Sequence, residues 1–582
     1  MRLFTGTTFG TNRRSWIPLS LIYILGLVGL AIGSPAPEEQ LPLGLWRILG
    51  DQKPISPPSN DFTNKTHTLP TLLNALDVLQ SSYFEIWQGN WPTGIDWTKA
   101  VIGTYLSSAL FTISTSFDSL SSSKDSENLV NKYFSELIGS YFGQDAFALR
   151  QEAYDDMLWV VLGWLESIKF INTHSASHYN STIDEEGNWY GKQYIPTFAH
   201  RARIFWEMAS QGWDTTLCDG GMIWSPYLVP YKNAITNELY IAASISMYLY
   251  FPGDENTSPF GFSKPSELES EDAELPGRPH DPKYLAAAIE AYKWLNSSNM
   301  TDAKGLYVDG YHVSGWSRER PKNDTGNTRC DSRNEMVYTY NQGVLLSGQR
   351  GLYESTGARS YLEDGHKLVA DVIAATGWDL KHNSAPAKSD RPGLGDWKGL
   401  GRSGVLEEVC DAPGYCSQDS QTFKGIFFHH LTLFCAQLPD HLVLPGGTFM
   451  GKDFADDRKL HENQCKRYGN WIRHNAEAAV STKDIEGKFG MWWGAPQRPD
   501  GSDFDPEVEL PDQAVDYRNS GVPEKWREMK KLKVQSESHD VESTGRKVGA
   551  RDLNDRGRGR TVETQGGGVA VLRALWEIVD TR

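Results

Sequence analysis

Glu152-Ala153-Tyr154-Asp155-Asp156-Met157-Leu158-Trp159-Val160-Val161-Leu162-Gly163-Trp164-Leu165 sets two adjacent carboxylates ahead of a run without any charge. From Met157 to Leu165 apolar residues occupy every face of a 3.6-residue period, which predicts a helix buried all round rather than along one stripe. Two acids at its mouth have two readings. In one, Asp155 is the N-cap and Asp156 sits in the first turn, where both suit the free N–H groups and the positive end of the macrodipole. In the other, the buried helix delivers both carboxyls to a cleft, and repulsion makes one hold its proton to higher pH than its neighbour. Such a pair is what glycosidic bond cleavage requires.

Composition narrows the class. A chain of 582 residues can bury a large core, and 12% aromatic content with 20 Trp exceeds what packing alone calls for. Sugar rings stack on aromatic faces, so the surplus points to carbohydrate. A formal net charge of -17 argues against nucleic acid, whose phosphates call for a basic surface.

The start of the chain reads as a targeting segment. Arg2, Arg13 and Arg14 precede an uncharged run from Trp16 to Gly33, with Ala31-Ile32-Gly33 as a small-residue cleavage site. Residues 1–33 are thus a signal peptide or, because the run is long, an uncleaved signal anchor; a membrane is a partner only in the second case. Six Asn-x-Ser/Thr sequons (Asn64, Asn180, Asn256, Asn296, Asn299, Asn323) and six cysteines fit a secreted, glycosylated, disulfide-bonded protein, extracellular or held at a wall or membrane. Connectivity stays open, with Cys410–Cys416 favoured by proximity.

Residues 34–68 form an irregular, Pro-rich lead-in, and from Leu69 to the end helical patterns dominate. Trp97–Phe117, Asn128–Tyr141 and Ala153–Phe170 are the first strong ones, joined by aromatic and Gly-rich loops such as Trp87-Gln88-Gly89-Asn90-Trp91. An echo follows: Asn237-Glu238-Leu239-Tyr240-Ile241 with Asp281–Ala288 is matched by Asn341-Gln342-Gly343-Val344-Leu345 with Ala358–Gly365. Each half reads as an apolar helix and a turn leading the next, the way a toroid of helical hairpins repeats. Two stretches interrupt a single 69–582 domain: 252–280, acidic and Pro/Ser-rich, and 521–560, charged and Gly-rich, which reads as a solvated insertion. Gly566–Trp576 is a last apolar helix that closes the fold, and no hydrophobic tail follows to signal a C-terminal lipid anchor.

Several polar and aromatic residues are candidates for contacting a sugar, each with a plainer reading. Asn341 and Gln342, beside Tyr340, carry paired donors and acceptors but could cap a helix. Lys232 and Asn233 could line a cleft or cap the next helix. Trp224, Trp492 and Trp493 are stacking platforms or core. Asp219, between Cys218 and Gly220, touches substrate or braces a turn. Gly399-Leu400-Gly401-Arg402-Ser403-Gly404 matches a dinucleotide pattern by letters only, with no strand before it, and is a loop. His429-His430 and His461 with Cys465 lack a zinc ligand set and read as structural. No metal or cofactor is called for.

Taken in order, Tyr154–Trp159, Gly220–Trp224 with Tyr231–Asn237, Tyr338–Gly343, Cys410-Asp411, Phe423–Phe427 and Trp492-Trp493-Gly494 resemble the successive blocks of glycoside hydrolase family 76. The resemblance spans roughly Leu69 to Trp576 outside the two insertions. It implies an all-α fold, an (α/α)6 barrel, and endo-acting hydrolysis of α-1,6-mannan by a retaining mechanism. It also implies Asp155 as nucleophile and Asp156 as general acid/base. Many relatives have a second Trp after Trp159; Val160 stands here, a change in packing or cleft lining.

The residues alone leave the stereochemistry open. A retaining pair needs carboxyls ~5–5.5 Å apart and an inverting pair ~6.5–9.5 Å, and side chains about 100° apart on a helix reach either. Three functions are compatible: an endo-α-1,6-mannanase, a cell-wall transglycosidase acting on mannan or anchor glycans, and a non-catalytic mannan-binding wall protein, which the intact Asp pair disfavours. Each has mannan or a mannose-containing wall polysaccharide as partner.

Overall fold

The computed structural model describes residues 65–120, 122–179, 189–256, 277–317, 326–385, 395–496, 508–524 and 552–581. The 1–33 segment, nearly all of 34–68 and the sequons at Asn64, Asn180 and Asn323 lie outside the described residues, as does the bulk of both expected insertions. Six long helices are apolar on nearly all faces: α2 (Asp96–Thr115), α4 (Tyr154–His178), α6 (Ala234–Tyr250), α8 (Thr339–Thr356), α10 (Gln418–Cys435) and α12 (Val562–Ala574). Such helices need neighbours on both flanks and behind. They obtain them by packing in sequence order, α2 on α4, α4 on α6, α6 on α8, α8 on α10, α10 on α12 and α12 back on α2, so the ring closes.

A second layer covers the ring. Helices α1 (Thr68–Tyr83), α3 (Ser123–Gly143), α5 (Ile195–Ser210), α7 (Pro282–Ser297), α9 (Ser360–Ala375) and α11 (Gly469–Ser481) are apolar on one side and lie outside. α3 packs on α2, α5 on α4, α7 on α6 and α9 on α8, while α1 and α11 share α12. The architecture is all-α, an (α/α)6 barrel. The sequence echo corresponds to the inner–outer pairs α6/α7 and α8/α9.

Caps follow the side chains available. Ser417 and Thr561 accept from the backbone N–H three residues on, and Asp281 accepts from Lys283 N ahead of a helix that opens on Pro282. The connections 211–233, 298–338, 376–417 and 482–561 lead into the N-termini of inner helices, which places rich loops at one rim. There β1 (Tyr231–Asn233), β2 (Gly310–His312) and β3 (Ser332–Asn334) form an antiparallel sheet. Cys218–Cys330 ties two of these loops together, Cys410–Cys416 closes a tight one as proximity favoured, and Cys435–Cys465 joins α10 to the helix Ala455–Arg467.

Two expectations change. The 521–560 stretch is not solvated throughout: Leu553, Asn554 and Arg556 are buried, Asn554 Oδ1 accepts from Trp492 N at 2.8 Å, and Arg556 Nη1 donates to Ala412 O at 2.8 Å. Polar side chains anchor this segment through backbone groups, which composition does not reveal. The Gly399–Gly404 stretch contains a small hairpin, Gly401–Arg402 against Val405–Leu406, with Ser403 left-handed at its tip.

Ring closure depends on a close crossing. A Cβ on Gly425 of α10 would lie 2.8 Å from Gly567 Cα and 2.7 Å from the Tyr105 hydroxyl, whereas a Cβ on Gly567 would meet nothing nearer than 3.6 Å. Gly425→Ala should therefore destabilise the fold by about 1–3 kcal/mol, a Tm drop of roughly 2–5 °C. Gly567→Ala should hold or raise Tm, because Ala is the better helix former. Thermal melts followed by circular dichroism distinguish the two.

Candidate functional site

The N-terminus of α4 opens on the loop-rich rim. Its N-cap is Ala153, not Asp155, and Asp156 reaches back so that Oδ2 accepts from Ala153 N at 3.0 Å. The capping expectation is thus shifted by one role: Asp156 caps, and Asp155 in the first turn is left to face other groups. Asp155 Oδ1 accepts from Asp156 N at 3.2 Å, and Asp155 Oδ2 lies 3.7 Å from Arg518 Nη2. Trp224 is tied to the same helix end, its carbonyl accepting from Tyr154 N at 2.9 Å.

Arg518 organises this corner. Its guanidinium carbon lies 5.4 Å from the Trp224 ring and 5.8 Å from the Tyr340 ring. Tyr340 in turn stacks on Phe423 with centroids 3.8 Å apart. The segment bearing Arg518 is pinned by polar contacts: Asn334 exchanges two hydrogen bonds with the Val515 backbone, Tyr338 Oη donates to Asp516 at 2.8 Å, and buried Asn519 accepts from Ser417 N at 2.7 Å. Arg518 is a residue that sequence reasoning missed. It sits in a polar stretch without a motif, and no periodicity marks it.

The two carboxyls are electrostatically unequal. Burial pushes Asp155 up to about 6, held there by the opposing pull of Arg518 and hydrogen bonding from the backbone and the Trp224 side chain. Burial, then repulsion from Asp155 and Glu152, pushes Asp156 well above the ordinary carboxylate range. The pair titrates as a unit, with Asp156 the member that keeps its proton.

Around the pair, buried polar groups divide into spent and unspent. Gln342 is spent: Oε1 accepts from Tyr307 N at 2.8 Å, and Nε2 donates to Tyr307 O and Tyr338 O. Lys232 is spent as well, donating to the carbonyls of Asp214, Gly220 and Gly221 at 2.7–2.8 Å while paired with Asp214. These two brace loops instead of presenting donors to a sugar, a correction to their expected role. Asn233 and Asn341, both fully buried, have no partner for either amide atom, and neither has the Tyr340 hydroxyl. Buried orphans of this kind are rare in proteins. Two more were not expected: Glu238, with both oxygens unpaired, and Asp309, which accepts from Tyr231 Oη at 2.6 Å and from Asn334 while Oδ1 is left over. Burial raises both acids.

The remaining candidates sort by exposure. Trp224 is partly exposed at the rim, as a stacking residue must be. Trp492 and Trp493 are not: Trp492 is sealed beside Cys410, Cys416 and Leu553, and Trp493 packs on Phe428. They are core, because the loop that bears them is clamped by Asn554. Asp219 is exposed on a left-handed turn next to the Cys218–Cys330 bridge. His429 and His430 are buried and kept neutral by burial, and His430 accepts or donates at Ser347 Oγ, 2.8 Å away. His461 hydrogen-bonds His366 at 3.0 Å, and its neighbour Cys465 is in a disulfide, so that sulfur is no metal ligand.

Residues 273–442 match the model of Glycosyl hydrolase family 76. That stretch contains Asp309, Tyr340, Asn341 and Gln342; Asp155 and Asp156 precede it. The chain is 21% identical over 245 residues to mannan endo-1,6-alpha-mannosidase DCW1 of Candida glabrata, covering 40% of each chain. To the DCW1 of Saccharomyces cerevisiae it is 22% identical over 251 residues, covering 42% of this chain and 41% of that one. The chain thus spans about two fifths of the length of these curated relatives. Among solved structures, an inactive variant of the alpha-1,6-mannanase GH76A of Salegentibacter sp. HEL1_6, bound to alpha-1,6-mannotriose, superposes with a TM-score of 0.46 at 16% identity, covering 88% of this chain and 99% of that one. Dfg5 from Chaetomium thermophilum, in complex with glucosamine, gives 0.48 at 13% identity, covering 89% and 92%. Over residues 273–442 this chain is similar to glycosyl hydrolase family 76.

Proposed function

We propose that this protein is an endo-acting α-1,6-mannanase that works by a retaining, two-carboxylate mechanism, secreted and acting at a cell wall. The single observation that carries the reading is the inequality of Asp155 and Asp156: Asp155 lies 3.7 Å from the Arg518 guanidinium, whereas for Asp156 burial and the repulsion of Asp155 and Glu152 outweigh the weaker pull of the same Arg518. Asp155, ionised beside Arg518, attacks the anomeric carbon and forms a glycosyl-enzyme. Asp156, still protonated, gives its proton to the departing glycosidic oxygen and then takes one from the water that releases the sugar. Trp224 stacks a ring at the rim, and Asn233 and Asn341 supply amide donors and acceptors to hydroxyls, in keeping with their unpaired state. Secretion is supported by the leader-like start and three disulfides. Among the described residues no helix is long and apolar enough to cross a membrane.

A second reading, transglycosylation, shares every step up to the glycosyl-enzyme and passes it to a sugar hydroxyl instead of water. What favours it is the exposed apolar stretch Tyr227-Leu228-Val229 just beyond Trp224, a platform for an acceptor.

Incubation with linear α-1,6-mannan should yield short oligomannosides with new reducing ends, and Asp155→Asn or Asp156→Asn should each lower the rate roughly 10^3-fold or more. Longer products without new reducing ends would move the assignment to transfer, and no turnover by the wild type would end both readings.

The pH profile of kcat/KM should be bell-shaped, falling on the acid side as Asp155 gains a proton near pH 6 and on the alkaline side as Asp156 loses its own. Removing the positive charge raises the Asp155 pKa, so Arg518→Met should move the acid limb upward by about 1 pH unit.

Spent and unspent amides should separate in kinetics. Asn341→Ala is expected to cut kcat/KM roughly ten- to hundredfold at nearly unchanged Tm, whereas Gln342→Ala should lower Tm by leaving the Tyr307 backbone unpaired.

A further inference from the structure

The residue before Arg518 is Tyr517, 44% exposed although two other rings hold it. Tyr231 of β1 and His312 of β2 stand opposite each other in the sheet and stack with centroids 4.2 Å apart. Tyr517 meets both nearly at right angles, its centroid 6.0 Å from each. His312 Nδ1 lies 3.3 Å from the Pro230 carbonyl, so that nitrogen carries the proton and Nε2 is left to accept from Tyr517 Oη at 3.4 Å. The phenol oxygen keeps its lone pairs. The ring is thus fixed in place while nearly half of the residue stays open to solvent.

A circuit of contacts joins this group to the carboxyl pair. Trp224 N donates to Tyr231 O at 2.8 Å, and Trp224 O accepts from N of Tyr154, the residue before Asp155, at 2.9 Å. From the other side Arg518 reaches to within 3.7 Å of Asp155. Consecutive Cα atoms stand only about 3.8 Å apart, so Tyr517 lies within a short run of sugar units of the pair. The chain that bears it is anchored just ahead, Val515 by Asn334 and Asp516 by Tyr338.

We propose that Tyr517 is a specificity-determining residue: its ring carries a sugar unit remote from the bond being cut, which makes the site favour long chains and cut within them. This role rests on the mannanase reading above. The occupant is the substrate's own chain, since the surface is continuous with the carboxyl pair and a net charge of -17 disfavours an anionic polymer there. The C–H face of a pyranose complements an exposed phenol ring, and the phenol oxygen accepts from a hydroxyl at the edge of the same sugar. Because the ring is already held, stacking on it costs little side-chain entropy. A contact made equally with substrate and transition state lowers KM without raising kcat. Tyr517 therefore acts on affinity, and only for chains long enough to reach it.

The test measures kcat and KM over linear α-1,6-oligomannosides of increasing length for wild type, Tyr517→Leu and Tyr517→Phe. Leu fills the room beside Tyr231 without an aromatic face, and Phe keeps the face while losing the bond to His312. Tyr517→Leu should lose roughly five- to tenfold in kcat/KM on the longest chains, mostly through KM, with the loss shrinking as the chain shortens; Tyr517→Phe should follow wild type. A Tyr517 that only braces Arg518 predicts an equal loss at every length and an acid limb moved upward, as for Arg518→Met. Either of those results overturns the proposal, and so does a Tyr517→Leu profile equal to wild type. If wild type cleaves no α-1,6-mannan, the mannanase reading fails, and calorimetry of the longest oligomannoside with Asp155→Asn, with and without Tyr517→Leu, decides the role of Tyr517 separately. Weaker binding with the second substitution sustains the contact, and equal or absent binding overturns it.

Discussion

The structure depends on closing a ring of six helices that cannot face water. Each inner helix buries nearly its whole circumference, so none is stable until the helices on both sides are in place, and the last, α12, must meet the first, α2. Gly566 permits that meeting, since a Cβ there would lie 2.5 Å from Ile102 of α2, and Gly425 lets α10 approach the Gly567 backbone of α12. The outer helices add only a one-sided apolar cover. The arrangement leaves all inner N-termini at one rim, where their free N–H groups and the loops between them are available for chemistry.

Rim loops are held by buried polar groups more than by apolar packing. Lys424 pairs with Asp411 at 2.6 Å, Glu408 accepts from the Thr339 backbone at 2.9 Å to cap α8, and Arg402 pairs with Glu407 at 2.9 Å. Such groups stabilise little in net terms, but once built they allow one arrangement, since moving any of them strands a buried charge. Against this rigid frame the unpaired amides of Asn233 and Asn341 and the unpaired acid of Glu238 stand out.

Legibility followed range. The uncharged run after Asp156, the repeated apolar helices and the Asp pair could all be read, because each is a pattern within one element. The echo between residues 237–288 and 341–365 revealed two of the six hairpins. The assignments that changed involve partners distant in sequence. Lys232, Gln342, Trp492 and Trp493 have the right chemistry to touch a sugar, and only their surroundings show that Lys232 and Gln342 are hydrogen-bonded to the Gly220 and Tyr307 backbone, and that Trp492 and Trp493 are buried beside Leu553 and Phe428.

By itself the sequence determined the all-α class, the burial of the helix behind Asp155 and Asp156, and the joint presence of two carboxyls at its mouth, because residue type and a 3.6-residue period dictate these locally. The tertiary structure alone decided which acid meets a cation, since Arg518 arrives at Asp155 from another part of the chain. It decided too which polar side chains remain unpaired, because a donor's availability depends on every group within hydrogen-bonding distance, and chain order does not encode that distance.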